Sequence, residues 1–588
     1  MEKSDIRPHP VETAQQLVHL AERTNRLTLK AQSAAVAKAS GKDFSIVDTQ
    51  TIGKAYLRSM VALSSQPMEI MAKSQQAWMN AGRAWFDAWT GRSQEVRDKR
   101  FREPDWDADP ISRGVRDSYL AFEAGAIALL DTLPEGSKDH LRTEFYTRQM
   151  LSALSPANFI GLNPAVRKRF METHGQSAID GYSNFLDDLE RGDGRLDIVT
   201  NDRSAFVVGR DLATTPGKVV FQNHLMQLIQ YEPRTETQFK RPIVFVPAWI
   251  NKFYILDMRP KNSLVSYMLE RGHTVFVVSW VNPTSEHADM SFSDYMTHGP
   301  LAALDAIRDA TGEETVNILG FCIGGILVTA TLAVLAARGQ ADRIGCATTL
   351  ATMVDFTDVG EIGVFIDEDR LKALRKHMQD TGYLENHHLQ DMFAMIREND
   401  LVWSFFVMNY LKGRKAPAFD LLFWNSDSTR LPAAMLLWYL EKVYIANGLR
   451  KPGFLELEGT AIDLRQIRTP LFVLATKEDH IAPWTSVYPT TALVGGPVKF
   501  VLGGSGHIAG VINPPADRPK YGYWTSEDYG VDPETWLSGA KHTEGSWWPE
   551  WADWIEAMDK EDRVPSRFPG DGGSEPLEDA PGSYVLKA

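Results

Sequence analysis

Residues 316 to 339 read VNILGFCIGGILVTATLAVLAARG, and no charge interrupts Ile318 to Ala337. An apolar run of about twenty residues is long enough to cross a bilayer. Its internal grain argues otherwise. Val316 to Leu319 is short and apolar like a buried strand, glycines cluster at 320, 324 and 325, and only Ile326 to Ala337 continues as a helical run. A spanning helix is uniformly apolar, with interfacial anchors at both ends. Strand, glycine-flanked turn and helix is the better parse, and it puts Cys322 of Gly320-Phe321-Cys322-Ile323-Gly324 at the corner. In corners of this kind the glycines leave room for closely approaching backbone, and the reactive atom is presented at the positive end of a helix. The corner needs a strand before it and a helix after it, which points the chain toward an α/β architecture.

A thiol placed there, once ionised, attacks acyl carbon well and suits exchange with another thioester. The bland alternative is a small core residue, since free cysteine is often simply buried. The corner predicts its own partners, an acid and then a histidine, each in a loop after a later strand. LFVLATKEDHIAPW sets Asp479 just past the apolar run 471–475, and KFVLGGSGHIAG sets His507 just past 499–502. Asp355, in TMVDF, also follows an apolar run and competes for the acid role. His480 follows Asp479 in a turn that directs its side chain elsewhere. No H-E-x-x-H, paired C-x-x-C, EF-hand loop or G-x-x-x-x-G-K-[ST] occurs, so metal or nucleotide-phosphate catalysis is disfavoured and no metal ligand is assigned.

At 588 residues the chain exceeds one ordinary core, which predicts two domains or one core with a large insertion. A net charge of −14 without a lysine/arginine block argues against nucleic acid as a partner. Two cysteines, Cys322 and Cys346, make no disulfide framework and point to a reducing, cytoplasmic compartment. The start, MEKSDIRPHPVETAQQ, lacks the apolar core of a secretory signal. Residues 11 to about 95 read as helix, with Trp78, Trp85 and Trp89 on one face that either packs on the body or docks on a lipid-like or polymer surface. RFREPDWDAD (100–109) reads as a linker, and 111 to about 195 as helix broken at Ser155-Pro156 and Asn163-Pro164. Beyond Arg195, apolar runs at 219–221, 243–246, 274–278, 316–319, 471–475 and 499–502 alternate in part with helical patterns, as buried parallel strands do. The rhythm fails over about 355–467, an insertion that reads as a cap, and residues from Arg563 read as an extended tail.

These segments together resemble the polyhydroxyalkanoate synthases, most closely the single-subunit class I enzymes. The resemblance rests on GFCIGG, KEDHIAPW, GSGHIAGVINPP, NKFYILD (251–257), FDLLFWNSDSTRLP (419–432), SPANFIGLNP (155–164) and GSWWPEW (545–551), and runs from about Arg100 to the C-terminus. It implies an α/β-hydrolase catalytic domain over 196–588 with a cap insertion, preceded by a mainly helical domain over 1–195. By the same resemblance Cys322 carries the acyl group, His507 is the base, and Asp479 orients His507 or helps activate the incoming hydroxyl. The resemblance likewise implies that the backbone N–H groups of Ile323 and Trp249 form an oxyanion hole; the family often carries cysteine where VPAWIN has Trp249. Trp424 matches a tryptophan of the cap region, and Asp257, closing NKFYILD, is a further substrate or cap candidate. The implied substrate is (R)-3-hydroxyacyl-coenzyme A, most simply 3-hydroxybutyryl-coenzyme A, with no cofactor and with a homodimer working at cytoplasmic polyester granules. Two other readings stay open. One is a cysteine hydrolase of the same fold, a thioesterase or polyester depolymerase; the other is a granule-bound interaction protein that uses the tryptophan face.

Overall fold

The computed structural model describes residues 10–39, 49–133, 138–530, 532–559, 563–573 and 575–587, so the reading of the first nine residues lies outside the described residues. The chain divides into two compact units, Met1–Asp202 with Gln390–Phe419, and Arg203–Leu389 with Asp420–Ala588. Gln390–Phe419 falls inside the stretch that the sequence assigns to the cap, and is grouped with the N-terminal residues.

The first unit is helical: α1 (Pro10–Ala39), α2 (Thr49–Ser64), α3 (Pro67–Trp89), α4 (Pro110–Leu130), α5 (Lys138–Ala153), α6 (Pro164–Glu172) and α7 (Gln176–Arg191). The chain breaks where its prolines demand. Pro156 opens a short 3-10 turn, and Pro164 opens α6 behind Asn163, whose side chain accepts from the N–H groups of Ala165 and Val166. The buried stripe of α3 is Ala77, Ala81 and Ala88, set against α4, where a Cβ on Gly125 would overlap the Ala77 methyl and one on Gly114 would lie 2.7 Å from the Trp85 ring. Small residues let the two helices approach, which leaves the tryptophans at the rim: Trp78, Trp85 and Trp89 are 69%, 40% and 54% exposed. The reading in which this aromatic face packs inward is therefore corrected. Nor is 100–109 a plain linker. Phe101 and Trp106 are buried edge-on at 4.9 Å, and Arg100 bridges Asp98 and Glu123.

The second unit is built on one eleven-stranded sheet. Its strands are β1 (Gly217–Gln222), β2 (Met226–Tyr231), β3 (Ile243–Val246), β4 (Val275–Trp280), β5 (Val316–Phe321), β6 (Ile344–Leu350), β7 (Leu471–Thr476), β8 (Val498–Gly503), β9 (Gly522–Thr525), β10 (Lys541–Glu544) and β11 (Glu578–Asp579). The spatial order is β10-β9-β8-β7-β6-β5-β3-β4-β2-β1-β11. The six strands from β8 to β4 are parallel, and antiparallel strands extend both edges. Central strands covered on both faces read as continuous apolar runs. That is why β3, β5, β7 and β8 are legible in the sequence and β2 (MQLIQY) is not: its Gln227 and Gln230 are buried. Helix α8 (Ile323–Ala337) follows β5 and is buried from Ile323 to Leu335, as a helix apolar all round must be. Among the described residues no helix is long and apolar enough to cross a membrane.

The C-terminal segment is extended, but it is not a loose tail. Leu577 and Ala580 donate backbone hydrogen bonds to Val219 and Gly217 at 2.8 and 2.9 Å, so that β11 adds to β1. Tyr584 and Val585 are buried beyond it, and the Tyr584 N–H bonds Gln227 at 3.0 Å. The acid and proline content of the segment reads as disorder only if the open edge of β1 is ignored.

Candidate active site

Cys322 occupies the corner between β5 and α8 with φ 56° and ψ −124°, a backbone conformation that L-residues rarely adopt. It is held there from both sides. Its N–H donates to Leu350 at 2.9 Å, its carbonyl accepts from Gly325 and Ile326, and the Thr352 hydroxyl bonds the same carbonyl at 3.2 Å. The flanking glycines are required by approach: a Cβ on Gly320 would lie 2.5 Å from the Gly325 Cα, and one on Gly324 would overlap the Val246 carbonyl oxygen and lie 2.7 Å from that of Pro247. The thiol is half-buried and free. Cys346 is also free, but it is sealed in the core, where burial pushes its pKa up to about 12.

Strands β7 and β8, adjacent and parallel, bring Asp479 and His507 together from loops at their carboxyl ends. His507 Nδ1 lies 2.7 Å from Asp479 Oδ2, and that carboxylate is fully buried. Its oxygens also accept from the N–H groups of Ile481 and Ala482 at 2.8 Å and from the Thr476 hydroxyl at 3.2 Å. With Nδ1–H donated to Asp479, Nε2 remains to face the thiol. Burial alone would depress His507, but Asp479 and then Cys322, each by charge and hydrogen bond, outweigh it and hold the imidazole pKa well above the ordinary 6.5. The ring stacks on Phe321 at 5.5 Å, so the residue before Cys322 supports the imidazole. The histidine loop is braced from below. Trp547 and Trp548 donate their indole N–H groups to the carbonyls of Gly510 and Val511, each at 3.0 Å, and Trp551 donates to the Thr348 hydroxyl. Thus GSWWPEW acts on the site through backbone it holds.

The competing acid is otherwise engaged. Asp355 pairs with Arg450 at 2.7 Å and accepts from Asn447 and Thr357, whereas His480, beside Asp479, is exposed. Ile323 is the first residue of α8, so its N–H has no intrahelical acceptor and points into the space ahead of the helix. Trp249, just past β3, has a buried ring that packs against Tyr295 at 4.7 Å and Trp280 at 5.8 Å, with its indole N–H lacking a partner. Its carbonyl accepts from the Thr429 hydroxyl. The bulk of the ring is thus taken up in an aromatic cluster. Trp424 is buried and donates to the Lys252 carbonyl at 2.7 Å, an anchor between 420–426 and the loop after β3. Asp257 is not brought to the triad. It lies in the core, accepting from Thr215 and Ser263 at 2.5 and 2.6 Å, and burial raises its pKa.

Two residues that the sequence analysis did not single out stand beside the thiol. Tyr439 is buried and Tyr444 half-buried, their rings 5.4 Å apart, and both are close enough for the Cys322 charge to raise their phenol pKa values further above what burial alone sets. They lie on a π-helical turn, Tyr439–Ile445, where residues five apart share a face. On an α-helix, with 3.6 residues per turn, residues five apart fall on different faces, which is why no sequence pattern couples the two.

Comparison with known proteins matches this architecture in both units. Residues 97–268 match the family model for the N-terminus of poly-beta-hydroxybutyrate polymerase (PhaC), and residues 241–514 match that for the alpha/beta hydrolase fold, which is the fold of the second unit. The poly(3-hydroxyalkanoate) polymerase of Methylorubrum extorquens is 47% identical over 490 residues, 83% of this chain and 80% of that protein. The PhaC subunit of the polymerase of Rhizobium meliloti is 45% identical over 517 residues, 85% and 84% of the two chains, and that of Cupriavidus necator 41% over 496 residues, 83% of each. At these identities, across both the helical and the sheet-bearing region, the chain belongs to the poly(3-hydroxyalkanoate) polymerase family.

Proposed function

We propose that the protein is a polyhydroxyalkanoate synthase, an acyltransferase that joins (R)-3-hydroxyacyl groups from coenzyme A into polyester through an acyl-Cys322 intermediate. The observation that carries this reading is a thiol at a strained strand-to-helix corner facing an imidazole that is itself bonded to a buried carboxylate at 2.7 Å. His507 Nε2 takes the Cys322 proton and the thiolate attacks the thioester carbonyl. The developing oxyanion is met by the N–H groups of Ile323 and Trp249. The tetrahedral species collapses by breaking the bond to the coenzyme A sulfur, which leaves with the proton from His507. In the next half-reaction a 3-hydroxyl gives its proton to the His507–Asp479 pair and attacks the acyl-Cys322 thioester; its C–S bond breaks, the proton returns to the Cys322 sulfur, and one ester bond forms for each coenzyme A thioester consumed. Thioester to oxoester transfer runs downhill, so the reaction needs no cofactor and no metal.

Water is the competitor, because hydrolysis ends the chain. The half-buried thiol beneath Tyr439 and Tyr444 suits its exclusion, and the insertion between β6 and β7 is the mobile cover that admits substrate. A homodimer at the surface of a cytoplasmic granule fits the exposed aromatic face of α3. The test is to supply 3-hydroxybutyryl-coenzyme A, follow thiol release, and size the product. Polyester of high mass, absent with Cys322→Ala, is expected. Thiol release with free 3-hydroxybutyrate alone would make the protein a thioesterase and overturn the reading.

A further inference from the structure

We propose that the insertion between β6 and β7 carries a binding site for a divalent transition-metal ion, best suited to Zn2+, formed by His377, Glu385 and His388. His377 lies on α9 (Glu368–Thr381), Glu385 directly follows the short strand Tyr383–Leu384, and His388 lies in the first turn of α10 (Asn386–Ile396). In sequence this is His-x7-Glu-x2-His. The Glu-x-x-His pair, three apart, sits on one face of a helix start, and the turn through Gly382 brings α9 back over it.

The three candidate donor atoms lie within 4.8 Å of one another. His377 Nε2 is 3.0 Å and His388 Nε2 is 3.7 Å from the same oxygen, Glu385 Oε2, and the two imidazole rings stand at 87° with centroids 5.2 Å apart. A tetrahedral zinc ion with nitrogen and oxygen ligands at about 2.0–2.2 Å sets its ligands about 3.3–3.6 Å apart. The two nitrogen–oxygen separations, 3.0 and 3.7 Å, bracket that spacing, and the two imidazole nitrogens lie within 4.8 Å of each other. A hydrogen bond between His377 and Glu385 accounts for one of these contacts. The buried His388 brings a second imidazole toward the same carboxylate oxygen.

Two imidazoles and one carboxylate suit Zn2+ and its neighbours rather than Mg2+ or Ca2+, and the partial exposure of His377 and Glu385 leaves water the fourth position. The ion acts as a staple. Tyr383–Leu384 pairs with Leu431–Pro432, so binding fastens α9 to the ladder that joins the two ends of the insertion retained in the second unit. The site takes no part in the acyl chemistry, and its existence does not depend on it.

The test uses full-length, metal-free protein carrying Cys322→Ala, which removes the reactive thiol as a competing ligand. Titration with Co2+ is expected to develop the visible absorption of low-coordinate cobalt with saturation at one ion per chain. Zn2+ is expected to quench the band and raise the unfolding temperature. Glu385→Gln, which keeps the side-chain size and an acceptor oxygen, and His388→Ala are each expected to weaken binding by roughly a hundredfold or more, beyond what loss of an outer contact costs. Where His388→Ala does not fold, Glu385→Gln decides. Absence of the band, or a band unchanged by Glu385→Gln, overturns the proposal; the latter means that the ion sits elsewhere.

Discussion

Cys322, Asp479 and His507 lie more than 150 residues apart in sequence at the extremes, and each is immobilised by a different device. Cys322 is held in a backbone region that costs about 1–3 kcal/mol, fixed by bonds to Leu350 and Thr352. Asp479 is held by two backbone N–H groups and a hydroxyl, so its second oxygen has one direction left, toward His507. Asp479→Asn keeps the shape and removes the charge that orients the imidazole. Turnover is expected to fall by roughly three to four orders of magnitude, read as coenzyme A release. The same pair predicts a pH dependence of stability. The folded-state pKa of His507 lies above the ordinary 6.5, so its protonation contributes stability that is fully present below that value and is lost as the pH rises through the folded value. The gap in unfolding temperature between the parent and Asp479→Asn is therefore expected to narrow from pH 6 toward alkaline pH; a gap that widens would refute the assignment.

Among the elements, the corner from β5 to α8 is the least tolerant of added atoms. Gly324→Ala would drive a methyl into the carbonyls of Val246 and Pro247, which are backbone and cannot rotate away. A loss of about 1–3 kcal/mol in chemical denaturation is expected, with a larger loss of activity because the β3 loop that carries Trp249 is displaced. The helix that begins inside GSWWPEW, Trp548–Met558, shows the complementary arrangement: Trp547, Trp548 and Trp551 are sealed in the core, and their N–H groups end on the histidine loop and on β6. Tyr439 and Tyr444 show how far local geometry can hide a site. Their spacing has no meaning on an α-helix, and only the π-helical turn aligns them above the thiol.

For the whole molecule, the C-terminal segment is the outermost strand of the large sheet. Truncation after Gly573 removes β11 and the buried Tyr584 and Val585, exposing the edge of β1. A loss of about 3–5 kcal/mol is expected from the two side chains alone, with a lower unfolding temperature and association through the bared edge. Unchanged unfolding would mean that the segment is docked without consequence. The sequence alone determined the α/β class, the corner at Cys322 and the positions of Asp479 and His507, because each depends on local rules: apolar runs for covered strands, glycines for close approach, loops after strands for polar groups. It did not determine the edge strands or the tryptophan face. Polar Gln227, and Tyr584 and Val585 of the acidic tail, are buried because the tail lies along β1 and β2, and Trp78, Trp85 and Trp89 stay exposed because the small residues of α3 and α4 meet first. Those outcomes depend on which surfaces meet, and residues distant in sequence acquire that property only on folding.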